Sequence, residues 1–176
     1  MRTLSIIIYC LLTVAASLLF LLQGSRRPRF IRFYRKMAEK EWARKGFILI
    51  LAASAIAWNF ACFISYGNSP WLLPGLALSL SLLSYRLTHA VLWRLAGIRR
   101  ILLTAYCAFL LLVVLHVSLG FPPEIISLYM TVALIIEAGC VYPSRDAIWA
   151  FEDWQAGTRA EPNDGEIYKL YFQNEE

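Results

Sequence analysis

Residues 4–22, 47–66 and 101–119 each run without a single Asp, Glu, Lys or Arg. About 20 apolar residues in a helix cross a hydrocarbon core of about 30 Å, and each of the three runs is about that long. Its 176 residues are 59% apolar and only 16% charged, against about 25% charged in an ordinary soluble domain. The class this implies is an all-α integral membrane protein, because a helix satisfies its backbone polar groups within the crossing segment.

The run 4–22 is too long for the core of a secretory signal and lacks an Ala-x-Ala-like cleavage site. The basic residues after it would also oppose export, so it reads as a retained first span. Residues 47–66 form a second span, closed by Gly67-Asn68-Ser69-Pro70, and 101–119 another, closed by Gly120-Phe121-Pro122-Pro123. Residues 124–141 read as a last span, ending before Tyr142-Pro143. Between them, 71–92 has an uncharged part that stops at Tyr85, roughly 22 Å of helix at 1.5 Å per residue. It reaches full length only by taking in Arg86 and His89, with the arginine reaching back toward the headgroups. Five spans result.

Charge fixes their direction. Arg26, Arg27, Arg29, Arg32, Arg35, Lys36, Lys40, Arg44 and Lys45 fall between the first two spans, and Arg94, Arg99 and Arg100 follow 71–92. The other two loops carry no Lys or Arg. The positive-inside rule then puts the amino terminus outside and the tail from residue 143 in the cytoplasm. A bacterial inner membrane is the expected location.

The basic loop, residues 25–46, reads as an amphipathic cytoplasmic helix over 30–45. Phe30, Phe33, Tyr34 and Met37 share one face, while Arg29, Arg32, Arg35, Lys36 and Lys40 surround it. Such a helix suits a bilayer surface with anionic headgroups, or an acidic partner; nucleic acid is not expected. Nine basic residues less Glu39 and Glu41 leave the loop at +7. The tail carries Arg145, Arg159 and Lys169 against Asp146, Glu152, Asp153, Glu161, Asp164, Glu166, Glu175 and Glu176, three less eight, or −5. Opposite blocks facing one compartment predict that the tail folds back on the loop of its own or a neighbouring subunit. Within the tail, Ser144 caps a predicted helix over 145–155. The segment Ile167, Tyr168, Lys169, Leu170, Tyr171, Phe172 is β-prone and could add as a strand to a cytosolic protein.

Polar groups at membrane depth are costly and so mark candidate sites. They are Asn59, Arg86, His89 and Glu137, with His116 nearer the outer face. Arg86 and Glu137 both lie toward the cytoplasmic side and are the natural ion pair. Cys10, Cys62, Cys107 and Cys140 fall singly in spans, and no metal site, phosphate loop or nucleophile motif occurs. No catalytic residue, metal or cofactor is assigned, and the chain is not read as an enzyme. Small residues crowd 52–61 and 75–84, which predicts close helix packing and a homo-oligomer. The expected function is an oligomeric sensor or scaffold subunit that couples the membrane to a cytosolic protein partner through the basic loop and acidic tail. The alternative is a pore-forming effector, such as a holin-like lysis protein, toxin or antiviral defence component, with Asn59, Ser79 and Ser81 facing the pore.

Overall fold

The structure is a computed structural model that describes residues 28–67, 69–120 and 123–172. The expected span 4–22 lies outside them, as do Arg26 and Arg27. Among the described residues every regular element is a helix, and there is no strand.

Pro28 opens α1 (Pro28–Glu39), its fixed φ suiting the first turn. Lys40 is extended, at φ −107° and ψ 116°, and α2 (Glu41–Tyr66) starts after it. The single helix expected over 30–45 is therefore two, and the break frees α1 to leave the axis of α2. Within α2 Glu41 and Lys45, four residues apart on one face, pair at 2.9 Å. Helix α2 closes at Gly67, whose φ of +71° suits glycine and whose N–H donates to the Phe63 carbonyl.

A short 3₁₀ turn (Pro70–Leu72) leads into α3 (Leu73–Ser81), and α4 (Tyr85–Ala96) follows. The two halves of the expected span 71–92 meet at 95°, so this segment is not one straight helix. At the corner the N–H groups of Leu82, Leu83 and Ser84 reach back only three residues, to Ser79, Leu80 and Ser81. The Thr88 hydroxyl takes the freed Leu82 carbonyl at 3.0 Å. The physical reason lies in α4, which has buried Thr88, Leu92 and Ala96 on one side and exposed Arg86 and Arg94 on others. A straight span over 71–92 would carry Arg86 within it, whereas the turn leaves it exposed on a separate helix.

After α5 (Arg99–Ser118) and a 3₁₀ turn (Pro123–Ile125), α6 (Ile126–Val141) returns through the bundle. Helix α7 (Arg145–Gln155) bends from it by 44°, and α8 (Asp164–Phe172) ends the described chain. Among the described residues α2 alone is long and apolar enough to cross a membrane, and up to three segments are if each bent pair counts as one; the apolar part of α5, Thr104–His116, is shorter. Leu49, Ile50, Phe60, Ile64, Leu111 and Leu112 are exposed on α2 and α5, as lipid-facing side chains would be.

A polar knot ties the bundle at mid-depth. The Asn59 amide lies 2.7 Å from Ser79 Oγ of α3 and 2.8 Å from Thr131 Oγ1 of α6, and all three residues are buried. Each hydroxyl donates to its own helix, Ser79 to the Gly75 carbonyl and Thr131 to the Ser127 carbonyl, leaving its lone pairs for the amide. Gly75 permits the approach: a Cβ there would stand 2.5 Å from Asn59 Oδ1 and 2.8 Å from Ser127 Oγ. Gly75→Ala should therefore lower stability by about 1–3 kcal/mol through overpacking. Gly46→Ala, with nothing within 4 Å, should raise it by about 0.5–1 kcal/mol. Thermal unfolding of the two variants in detergent checks the contrast, and equal midpoints would remove the close-packing argument.

Candidate functional site

Helix α1 and the tail meet at one end of the bundle, and their contact is built from apolar faces. Tyr34 and Ala38 of α1 are buried with Ala147, Ala150 and Phe151 of α7 and Ile167, Leu170 and Tyr171 of α8. The Tyr34 ring lies 4.8 Å from that of Tyr171 and 5.3 Å from that of Phe172, and the Tyr171 hydroxyl donates to the Tyr34 carbonyl at 2.9 Å. Ion pairs fasten the rim: the Arg35 guanidinium donates to Glu161 Oε1 at 2.6 Å and to Asp164 Oδ1 at 2.9 Å. The loop and tail of this one chain thus fold on each other.

The tail segment expected to be β-prone is helical. Asn163 Oδ1 accepts from the Glu166 N–H at 2.9 Å, and Asp164 and Glu166 sit in the first turn, where the helix dipole favours them. Ile167, Leu170 and Tyr171 then recur at helical spacing against α1, and this packing overrides strand propensity. With these three buried, the segment presents no free strand edge. Ser144 caps α7 as expected, accepting from the Ala147 N–H at 3.2 Å, and donates to the Leu170 carbonyl at 2.7 Å.

Two arginines that sequence reasoning counted only as topology charges hold this end together. Arg44, buried at the start of α2, donates to the Met37 and Ala38 carbonyls at 3.1 and 2.7 Å, closing α1. Arg99, buried at the start of α5, donates to the carbonyls of Tyr142 and Tyr171 and stacks on the Tyr171 and Phe172 rings. Both place a cation at the carbonyl end of helices, the favourable end of the dipole. No spacing signal separates them from the other basic residues of their loops. Burial pushes the Tyr171 phenol well above its usual range, with Arg99 pulling the other way. A folded-state value above the unfolded one, about 10, means that its contribution is intact below pH 10 and lost as pH rises beyond it.

The intramembrane candidates do not converge. Asn59 is spent in the knot. His89 is stacked between Tyr85 and Trp93, with Nδ1 2.6 Å from the Tyr142 hydroxyl. Lys45 lies over Tyr85, and Arg145 over Trp93 and Trp149, so the stack is flanked by cations as in an interfacial aromatic belt. Glu137 does not pair with Arg86. Its carboxylate accepts from the Tyr106 hydroxyl of α5, while Arg86 is exposed on the outer side of α4 because the 95° corner carries it there. His116 Nδ1 meets the Tyr129 hydroxyl at 3.2 Å.

Of the basic loop residues, Lys36 lies over the Trp42 ring and Lys40 pairs with Glu39. Arg29 and Arg32 are exposed and make no ion pair among the described residues. Tyr168 packs on Phe172 at 5.1 Å. Behind α1, against α2 and α6, lies a groove of about 550 Å³, with Arg29, Phe33, Phe47, Leu51, Ser54 and Glu137 among its lining. No group of three or more His, Cys, Asp or Glu among the described residues could hold a metal ion. Comparison with protein-family models, curated proteins and solved structures finds no match to this chain.

Magnitudes rank the forces in the clasp. Exposed ion pairs are worth about 0–1 kcal/mol each, whereas truncating a fully buried Ile costs about 2–5 kcal/mol. Ile167→Ala should therefore open the contact more than Arg35→Ala, read as loss of hydrogen-exchange protection across 164–172. The reverse order would mean that charge holds it.

Proposed function

We propose that the chain is a small multi-pass membrane protein that acts as a non-enzymatic sensor or scaffold subunit, relaying the state of the membrane to a soluble partner. In this reading the spans are five, with the amino terminus outside and the tail cytoplasmic in a bacterial inner membrane, and the apolar outer faces of α2 and α5 serve self-association. The observation that carries it is the seating of the acidic tail on the basic helix, with Arg35 reaching both Glu161 and Asp164. Such a contact has two natural states. Closed, it hides Tyr34, Ile167 and Tyr171; open, it offers an apolar helix and a basic surface to a partner.

Exposed pairs are screened by salt while buried apolar contacts are not, so opening needs an input that acts on α1 itself. A helix already placed beside the membrane segments is suited to supply it. The test is removal of residues 158–176. Protease sensitivity within α1 should rise, and oligomer size in detergent should change. Unchanged cleavage, assembly and partner association would overturn the reading. Dye entry on expression, abolished by Asn59→Leu, would mark the chain as a pore-former instead.

A further inference from the structure

The groove behind α1 has the attributes of a site for a single lipid. It is walled by the cytoplasm-proximal ends of α2 and α6 in the topology read from the charges, with α1 as its third wall. Its volume of about 550 Å³ falls within the roughly 300–1,000 Å³ of small-molecule sites. Phe33, Phe47, Leu51 and Leu134 make the lining predominantly apolar. The polar groups are placed unevenly. Arg29 stands at the α1 side, exposed and without an ion-pair partner among the described residues, and Arg32 follows it on the same helix. Glu137 lies in the α6 wall, one helical turn before Val141, its carboxylate held by Tyr106.

From this arrangement we propose that the groove binds one phospholipid. An acyl chain lies along Phe33, Phe47, Leu51 and Leu134, the phosphate meets Arg29, and a hydrogen-bond donor of the headgroup meets Glu137. Charge complementarity selects this occupant. A cation at the rim calls for an anionic group, and a glutamate oxygen in an apolar wall, which accepts a hydrogen bond, calls for an N–H or O–H. A phosphatidylethanolamine ammonium or a phosphatidylglycerol hydroxyl supplies the donor, and phosphatidylcholine has none. Tyr34 lines this groove and also carries the tail, through Tyr171. The bound lipid is thus the input to the clasp, and in that respect the proposal rests on the sensor reading above.

The experiment is native mass spectrometry of the full chain in detergent, with phosphatidylethanolamine, phosphatidylglycerol and phosphatidylcholine added separately. One lipid per chain should be retained, phosphatidylcholine about fivefold more weakly, the worth of one hydrogen bond. Arg29→Ala should weaken all three. Ser54→Trp, at an exposed position on the groove wall, should displace the lipid while leaving the melting temperature in place. Glu137→Leu should abolish discrimination against phosphatidylcholine and Glu137→Gln, which keeps an acceptor, should restore it. Equal retention of all three lipids by the native chain, or retention unaffected by Ser54→Trp, overturns the proposal; the latter would mean that the lipid is held elsewhere on the chain. Lipid retention is a separate readout from clasp opening, so a tail truncation with no effect on cleavage or assembly would sink the sensor reading and leave the lipid site standing.

Discussion

Helices that end together must dispose of their last carbonyls, and here the ends of α1, α6 and α8 meet at one end of the bundle with water partly excluded. Arg44 and Arg99 meet that demand. Each guanidinium presents several donors in a fixed fork, so one side chain can satisfy carbonyls from two places at once. Arg99 does so between Tyr142, where α6 gives way to α7, and Tyr171 in the last turn of α8. Buried charge is tolerable only when such bonds replace the lost water. Everything that caps the bundle, including the position of α1 beside the groove, depends on these two residues staying inside.

The hydrophobic runs were legible because length and absence of charge are local properties. Helix α2 appears where residues 47–66 place it, extended at its start by the charged segment 41–46. The corner after Ser81 was legible only in part. The uncharged stretch from Trp71 was too short to cross, and that shortage is what the 95° turn expresses. Extending the span through Arg86 assumed that a guanidinium would snorkel. The chain instead turns its helix, which exposes Arg86 and Arg94 together and leaves His89 in an aromatic stack rather than in a crossing. Once α4 points elsewhere, the Arg86 and Glu137 pair has no geometry to form, and Glu137 takes the nearest donor, Tyr106.

Charge segregation located the contact between loop and tail but did not describe its substance. Of a loop at +7 and a tail at −5, Arg35 carries the ion pairs seen across the contact, while Tyr34, Phe151, Ile167 and Tyr171 supply its buried area. Complementary fields bring two segments together; apolar burial, at about 1.5–3 kcal/mol for a fully buried large side chain, decides whether they stay. The β-prone reading of 167–172 failed on the same ground. The aromatic and aliphatic composition fits a strand in isolation, but Ile167, Leu170 and Tyr171 also share one side of a helix, and only the helix meets α1.

Tyr34 is the residue through which the two halves of this molecule can be coupled, and the size of that coupling is bounded. A ligand shifts an equilibrium between open and closed clasp only by the difference in its affinity for the two. A lipid that binds the closed arrangement alone, present at about 100 times its dissociation constant, would stabilise closure by about 2.7 kcal/mol. That exceeds the exposed Arg35 pairs and is comparable to burying one side chain such as Ile167. A clasp whose own stability lies within a few kcal/mol of zero would therefore respond to lipid occupancy, whereas one held by all of its buried contacts at full strength would not.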